Sequence, residues 1–284
     1  MSLLARDRST AYRLRDGREA TVERSGPLHA PNAMLEWGSV AKTVTARAAA
    51  GLHAAGLLDL TAPVTAHLPA AALPDSVTLA DLISHTSGLP SVPVGMTDVL
   101  DPYARFTTAV FDDEVLPALA EQWRPPRPRP AYSNLGYAVL TRALEVTTGE
   151  PWWSLARRYA LEPLGVTDAA VDPPQHRRPV VRSWSGTARA PWTMHTGPFV
   201  GAGGLWGTFA ALEQYATAAL DDRAGRAPGW QRTGALRWHN GHVRDSGAFV
   251  AVDTASGRVV TVHTLGRFVG TADRVAKRLL RRHR

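Results

Sequence analysis

The 284-residue sequence contains no cysteine. That absence removes disulfides, thiolate nucleophiles and thiolate metal sites, and it fits a reducing or an oxidising compartment equally well. Lysine is nearly absent too: of 32 Lys and Arg residues, only Lys42 and Lys277 are lysines. Arginine keeps its proton near neutral pH, whereas a buried lysine can give its proton up. Lys42, retained amid so many arginines, is therefore a candidate for proton chemistry. No apolar run approaches the roughly 18 residues of a membrane span. The charged start Met-Ser-Leu-Leu-Ala-Arg-Asp-Arg lacks the apolar stretch of a secretory signal. These features lead to the expectation of a soluble, cytoplasmic protein without a membrane partner.

A chain of this length with 44% hydrophobic residues can bury a sizeable core, in one compact unit of two lobes. The formal net charge of +7 points first to anionic partners. Its distribution argues for solvated surface charge instead. The excess lies in the tail from Arg274 to Arg284 and in a Pro-rich loop carrying Arg124, Arg127 and Arg129. Neither stretch has interleaved aromatics or a nucleic-acid module, so no nucleic-acid partner is expected.

Asp16-Gly17 is a hairpin signal between two short alternating segments near the start. From Val40 to Leu58 the chain is apolar almost all round, the pattern of a buried helix, with Gly56 at its end. Short helical patterns follow to about Trp192, including Leu79–Ser84 and Leu135–Thr148. The stretch Pro125 to Pro130 cannot be helix interior and predicts a stiff approach to Tyr132. A glycine-rich region, Gly201 to Gly207, precedes a helix at Thr208 to Leu220 with Thr208 as N-cap. Strands follow at Leu236–Val243, Ala248–Asp253 and Arg258–Leu265, and an amphipathic helix over Ala272–Leu280 closes the chain.

Strands at both ends around a helical middle predict an α+β fold: an antiparallel sheet flanked by terminal helices, with an inserted helical lobe. Residues 1–60 and 200–284 would form the sheet lobe and 61–199 the helical lobe, with the active-site cleft expected between them.

Trp37-Gly38-Ser39-Val40-Ala41-Lys42 places a hydroxyl at the first turn of the buried helix and an amine one turn later on the same face. A serine there has the positive end of the helix dipole beneath it and its own N–H unpaired, both suited to a developing oxyanion. Burial favours a neutral amine, so Lys42 can accept the serine proton. The plain alternative is an N-capping serine followed by a surface lysine, but the helix around Lys42 offers little solvated surface.

Two further elements complete an ordered set: Tyr132-Ser133-Asn134 ahead of a helix, and His239-Asn240-Gly241 on a late strand. Ser-x-x-Lys, Tyr-x-Asn and His-x-Gly in this order resemble the serine β-lactamase and penicillin-binding protein superfamily, in particular its class C-like esterase and transacylase branch. The likeness extends to Leu79 through Pro90, to Tyr132 through Gly149 and to Gly203-Gly204-Leu205-Trp206. It implies Ser39 as nucleophile, Lys42 as its activating neighbour and Tyr132 as proton relay. It also implies that Asn134 orients the lysine or a substrate amide, that the backbone N–H groups of Ser39 and His242 form the oxyanion hole beside Gly241, and that His239 contacts a substrate carboxylate or carbonyl. His85 is read as structural. His239 and His242 flank a glycine, but the rest of a metal site is missing, so neither a metal nor another cofactor is expected. The order of Lys42 and Tyr132 in proton transfer stays open.

The scaffold hosts several acyl-transfer reactions. Without a visible export signal, and with histidine rather than lysine in the last motif, the expected partners are a small-molecule acyl donor and an amine, alcohol or water acceptor in biosynthesis. A transacylase such as that of capuramycin assembly is a close functional model. A β-lactamase or D-alanyl-D-alanine carboxypeptidase is the alternative among enzymes, and an inactive ligand-binding relative the alternative outside them.

Overall fold

The computed structural model describes residues 9–17, 19–96, 100–126, 128–183, 185–218 and 228–282. Arg127, Leu220 and the last residues of the basic tail, all singled out from the sequence, lie outside them. The chain divides into a helical unit, Lys42–Pro163 with Trp192–Gly204, and a sheet unit, Met1–Ala41 with Leu164–Pro191 and Leu205–Arg284. These limits differ from boundaries at 60/61 and 199/200, because the buried helix belongs mainly to the helical unit and residues 164–191 to the sheet unit.

In the helical unit, α1 (Ala41–Ala54) enters the unit at Lys42. It stops short of the expected Leu58 because Gly56 takes a positive φ of 72° and Leu57 N–H turns back to the carbonyl of Leu52. Helix α2 (Leu79–Ser84) opens on a capping box, in which Thr78 Oγ1 accepts from Asp81 N–H and the Asp81 carboxylate accepts from Thr78 N–H. Helix α3 (Asn134–Thr148) starts on Ser133, whose Oγ accepts from Gly136 N–H, and its Leu135, Tyr137, Ala138, Val139 and Leu140 are fully buried. The π-helical turns Phe111–Val115 and Arg157–Leu161 have no counterpart in the sequence reading. Gly201 lies flat on α3 and α1: a Cβ there would meet Thr141 Oγ1 at 2.0 Å and Thr45 Oγ1 at 3.0 Å. The glycine-rich stretch thus exists to let one backbone segment approach two helices.

In the sheet unit, β1 (Thr10–Asp16), β2 (Glu19–Arg24), β6 (Gln231–Thr233), β7 (Leu236–His242), β8 (Ser246–Asp253) and β9 (Arg258–Leu265) form an antiparallel sheet in the order β2-β1-β9-β8-β7-β6. The two ends of the chain meet where β1 pairs with β9, as the α+β reading requires. The two-residue strands β3 (Leu35–Glu36), β4 (Ala169–Ala170) and β5 (Trp206–Gly207) form a second sheet in the order β3-β5-β4. Alternation sorts the main sheet's faces. Leu14, Phe249, Ala251, Val260 and Val262 point to α5 (Thr271–Arg282) and pack against Ala272, Val275, Ala276 and Leu279. Arg13 and Arg15 point the other way, where both guanidinium groups hold buried Glu213 of α4 (Phe209–Ala218) at 2.5 and 2.6 Å.

Candidate functional site

Within the sheet unit, Ser39 sits in a 3-10 turn, Gly38–Val40, just ahead of α1 and partly exposed. The turn is fixed from two sides. Trp37, with no exposed surface, donates its N–H to the carbonyl of Leu205 at 2.9 Å, and the backbone of β7 runs against the turn. A Cβ on Gly241 would lie 2.0 Å from Trp37 O and 2.8 Å from Ser39 N, and one on Gly38 would lie 3.0 Å from His242 N. Only glycine at 241 lets the strand reach the serine. The glycine of His-x-Gly is therefore a steric requirement of this approach.

The side chains of β7 alternate between opposite faces. His239 is 1% exposed with Nδ1 2.7 Å from the carbonyl of Asn240. His242 points to the other face, where Nε2 lies 2.6 Å from Asp273 of α5, and Asn240 donates to the same carboxylate at 2.8 Å. The two histidines thus do not converge as metal ligands. His239 is enclosed in this structure, so a substrate contact there is not made by an exposed ring. The five residues between Gly241 and Gly247 form a tight connection held by Val243 N–H on Ser246 O, and Asp245 pairs chiefly with Arg189 at 2.7 Å rather than with Arg244, at 4.0 Å.

Within the helical unit, Lys42 is 0% exposed. Its Nζ donates to Asn134 Oδ1 at 2.7 Å and to the carbonyl of Ala202 at 2.6 Å. Burial drives its pKa well below the ordinary 10.5, because the charged form loses its hydration. The Tyr132 ring centroid is 4.9 Å from the same nitrogen, and Tyr132 is 41% exposed. Tyr132 and Asn134 are thus gathered around the Lys42 amine. Ala202, which the sequence reading did not single out, is delivered by the close packing at Gly201.

The segment Leu79 to Pro90 seats the tyrosine. His85 takes a left-handed conformation with φ of 61° after α2, and its carbonyl accepts Ala131 N–H at 2.9 Å. Its Nδ1 accepts Ser133 N–H at 3.2 Å, and its ring lies 4.7 Å from that of Tyr132. Ser133 Oγ donates to the carbonyl of Pro90 at 2.6 Å. Burial, aided by Lys42, lowers the His85 pKa to about 4, so the ring is neutral at pH 7 and free to accept at Nδ1. His85 is structural, as read from the sequence. Arg124 is also accounted for: its guanidinium is tied to the carbonyls of Glu121 and Trp123.

A six-stranded antiparallel sheet that joins both ends of the chain, with a helical insertion between its first and last strands, is the architecture of the β-lactamase/transpeptidase-like proteins. The sequence profile of the Beta-lactamase family matches residues 8–283, and the chain belongs to that family. Penicillin-binding protein 4 of Amycolatopsis lactamdurans is 34% identical over 155 residues, 52% of this chain and 38% of that protein. The chain thus covers well under two thirds of that relative. Among solved structures, the β-lactamase/D-alanine carboxypeptidase from Yersinia pestis superposes with a TM-score of 0.77 at 20% identity, over 95% of this chain and 92% of that one. A D-stereospecific amidohydrolase from Streptomyces sp. gives 0.71 at 21% identity, over 93% and 91%. These structural likenesses establish the fold. No helix among the described residues is long and apolar enough to cross a membrane.

Proposed function

We propose that the protein is a serine acyl-enzyme that cleaves a small-molecule ester and passes the acyl group to an amine, an alcohol or water, in a cytoplasmic biosynthetic setting. The observation that carries this reading is Lys42: an amine with no exposed surface, held by Asn134 and Ala202, with its basicity lowered by burial, which favours the neutral form that accepts a proton. Ser39 Oγ attacks the ester carbonyl while its proton passes to Lys42. The backbone N–H groups of Ser39 and His242, brought together by the absence of a side chain at Gly241, receive the developing oxyanion. The ester C–O bond then breaks, and the proton returns through the Tyr132 hydroxyl to the departing alkoxide. The acceptor repeats the sequence in reverse on the acyl-enzyme: its N–H or O–H proton enters the Tyr132 and Lys42 pair, its heteroatom bonds the acyl carbon, the acyl C–Oγ bond breaks, and Ser39 Oγ takes the proton back.

The test is intact-protein mass spectrometry of wild type and Ser39→Ala after brief exposure to a nitrophenyl ester or a penicillin, with and without amine. A single ester-derived adduct on wild type alone, discharged faster by amine, is the expected result. Discharge that amine never alters reduces the reaction to hydrolysis. Rapid turnover of the penicillin instead makes the protein a β-lactamase or D-alanyl peptidase, the reading favoured by the names of its penicillin-binding and carboxypeptidase relatives. No adduct and no turnover with any donor points to a specialised substrate or to a ligand-binding relative without chemistry.

A further inference from the structure

The sheet unit contains a second concave site. Where β1 begins and β2 and β9 end, against one side of α5, lies a cavity of about 650 Å³. Strand register and helix period explain what lines it. Tyr12 pairs with Arg24 across β1 and β2, so both project from the face that α5 covers. Arg274 and Arg278, four residues apart on α5, project beside Val275 into the same space, and Arg267 stands at the rim. Gly241, which approaches Ser39, lies on β7, three strands away from β1 in the sheet, roughly 14 Å at ordinary strand spacing.

Charge sets this cavity apart from the rest of the surface. Several arginines elsewhere are paired with carboxylates: Arg13 and Arg15 with Glu213, Arg142 with Asp112, Arg158 with Glu150, Arg189 with Asp245. Among the described residues no carboxylate lines this cavity. Among the described residues, none of Arg24, Arg274 and Arg278 forms an ion pair, and Arg274 donates to the hydroxyl of Thr271 at 2.9 Å. Cations grouped around one cavity repel each other, and an anion placed among them removes that cost. The floor, by contrast, is apolar where Tyr12 and Val275 line it, both packed in the cluster under α5. A bare inorganic anion leaves that floor wet, and a neutral hydrocarbon leaves the guanidinium groups uncompensated.

We propose that this cavity is a second binding site, separate from Ser39, for a small free organic acid: a carboxylate or phosphate head held by Arg24, Arg274 and Arg278, with a short apolar body over Tyr12 and Val275. Its volume lies within the range of small-ligand pockets. The site does not depend on the acyl-transfer reading, and its test uses no turnover.

Isothermal titration of the full chain with octanoate, octan-1-ol, octylamine and inorganic phosphate decides the matter, with Arg274→Ala/Arg278→Ala and Arg24→Gln as cavity variants and Arg281→Ala, exposed on the same helix but outside the cavity, as control. Octanoate is expected to bind wild type and Arg281→Ala alike, with affinity falling at least about tenfold in either cavity variant, the loss that follows removal of hydrogen bonds to a charged group. Octanol, octylamine and phosphate are expected to bind at least about tenfold more weakly than octanoate on the same argument. Two cavity variants on different elements keep the result readable if one of them fails to fold. Equal binding of octanol or of phosphate, equal octanoate affinity in wild type and both cavity variants, or an equal loss in Arg281→Ala overturns the proposal. Binding to phosphatidylglycerol vesicles without binding of free octanoate overturns it too, and makes the arginines a membrane-facing patch.

Discussion

Replacing Gly241 with alanine adds one methyl group where β7 meets the serine turn. The new Cβ would stand 2.0 Å from Trp37 O and 2.8 Å from Ser39 N, both backbone atoms that no rotamer change can move aside. Ordinary contact needs roughly 3.4 Å, so strand and turn must separate by about 1 Å or more, with a strain of about 1–3 kcal/mol as in other overpacked sites. Stability therefore falls moderately. The rate falls further, because a displacement of about 1 Å between reacting groups costs on the order of a hundredfold. Stopped-flow acylation by a nitrophenyl ester, with thermal unfolding followed in parallel, reads both quantities. Gly270→Ala is the control, since no atom lies within 4 Å of its added Cβ. A Gly241→Ala protein that acylates within about threefold of wild type, less than 1 kcal/mol of barrier, would refute the claim that this close approach builds the site.

Tyr132→Phe should leave thermal stability nearly unchanged, because the side chain is 41% exposed. It should slow cleavage of alkyl esters by about a hundredfold or more and that of nitrophenyl esters much less, since only the alkoxide needs a proton as it leaves; an equal loss on both removes the relay role. Asn134→Ala takes away the 2.7 Å acceptor of Lys42 and should lower acylation about tenfold or more, a loss of one hydrogen bond to a potentially charged group, read as kcat/KM with the fold checked by circular dichroism. Burial lowers the Lys42 pKa, so the unfolded chain binds the extra proton at every pH between the folded value and 10.5, and wild-type stability should rise with pH across that window relative to Lys42→Met. Urea unfolding at a series of pH values measures the difference, and parallel pH profiles for the two proteins would contradict the burial argument. His85 titrates near 6.5 when unfolded and at about 4 when folded, so the stability it contributes should be lost as pH falls from 6.5 towards 4, and His85→Gln should flatten that part of the profile.

Much of this was legible before any coordinates. The alternation in β7, β8 and β9, the apolar run that becomes α1 and the cap at Thr208 are local signals, and the structure uses each of them. The spacing of Ser39 and Lys42 is likewise a property of one helical turn. Other parts depend on contacts far apart in the chain. Ala202 acts through its carbonyl, which no residue type encodes, and the glycine run around it showed only that some backbone approaches closely. The strands β3, β4 and β5 are too short to carry a period, and the π-helical turns interrupt helical patterns without a distinctive composition. The enclosure of His239 follows from its inward-facing position on β7, which the motif alone could not distinguish from a position open to substrate.

The scarcity of lysine also shapes what activated esters can do to the protein itself. Lys42 is sealed from solvent and Lys277 stands exposed on α5, so the described surface carries a single lysine amine. Guanidinium groups stay protonated and are poor nucleophiles towards esters. A protein that handles acyl donors behind such a surface has little on its exterior to trap them. The same sparseness makes Lys277 a natural point for attaching a fluorophore or a solid support, on the far side of a helix from its packed face.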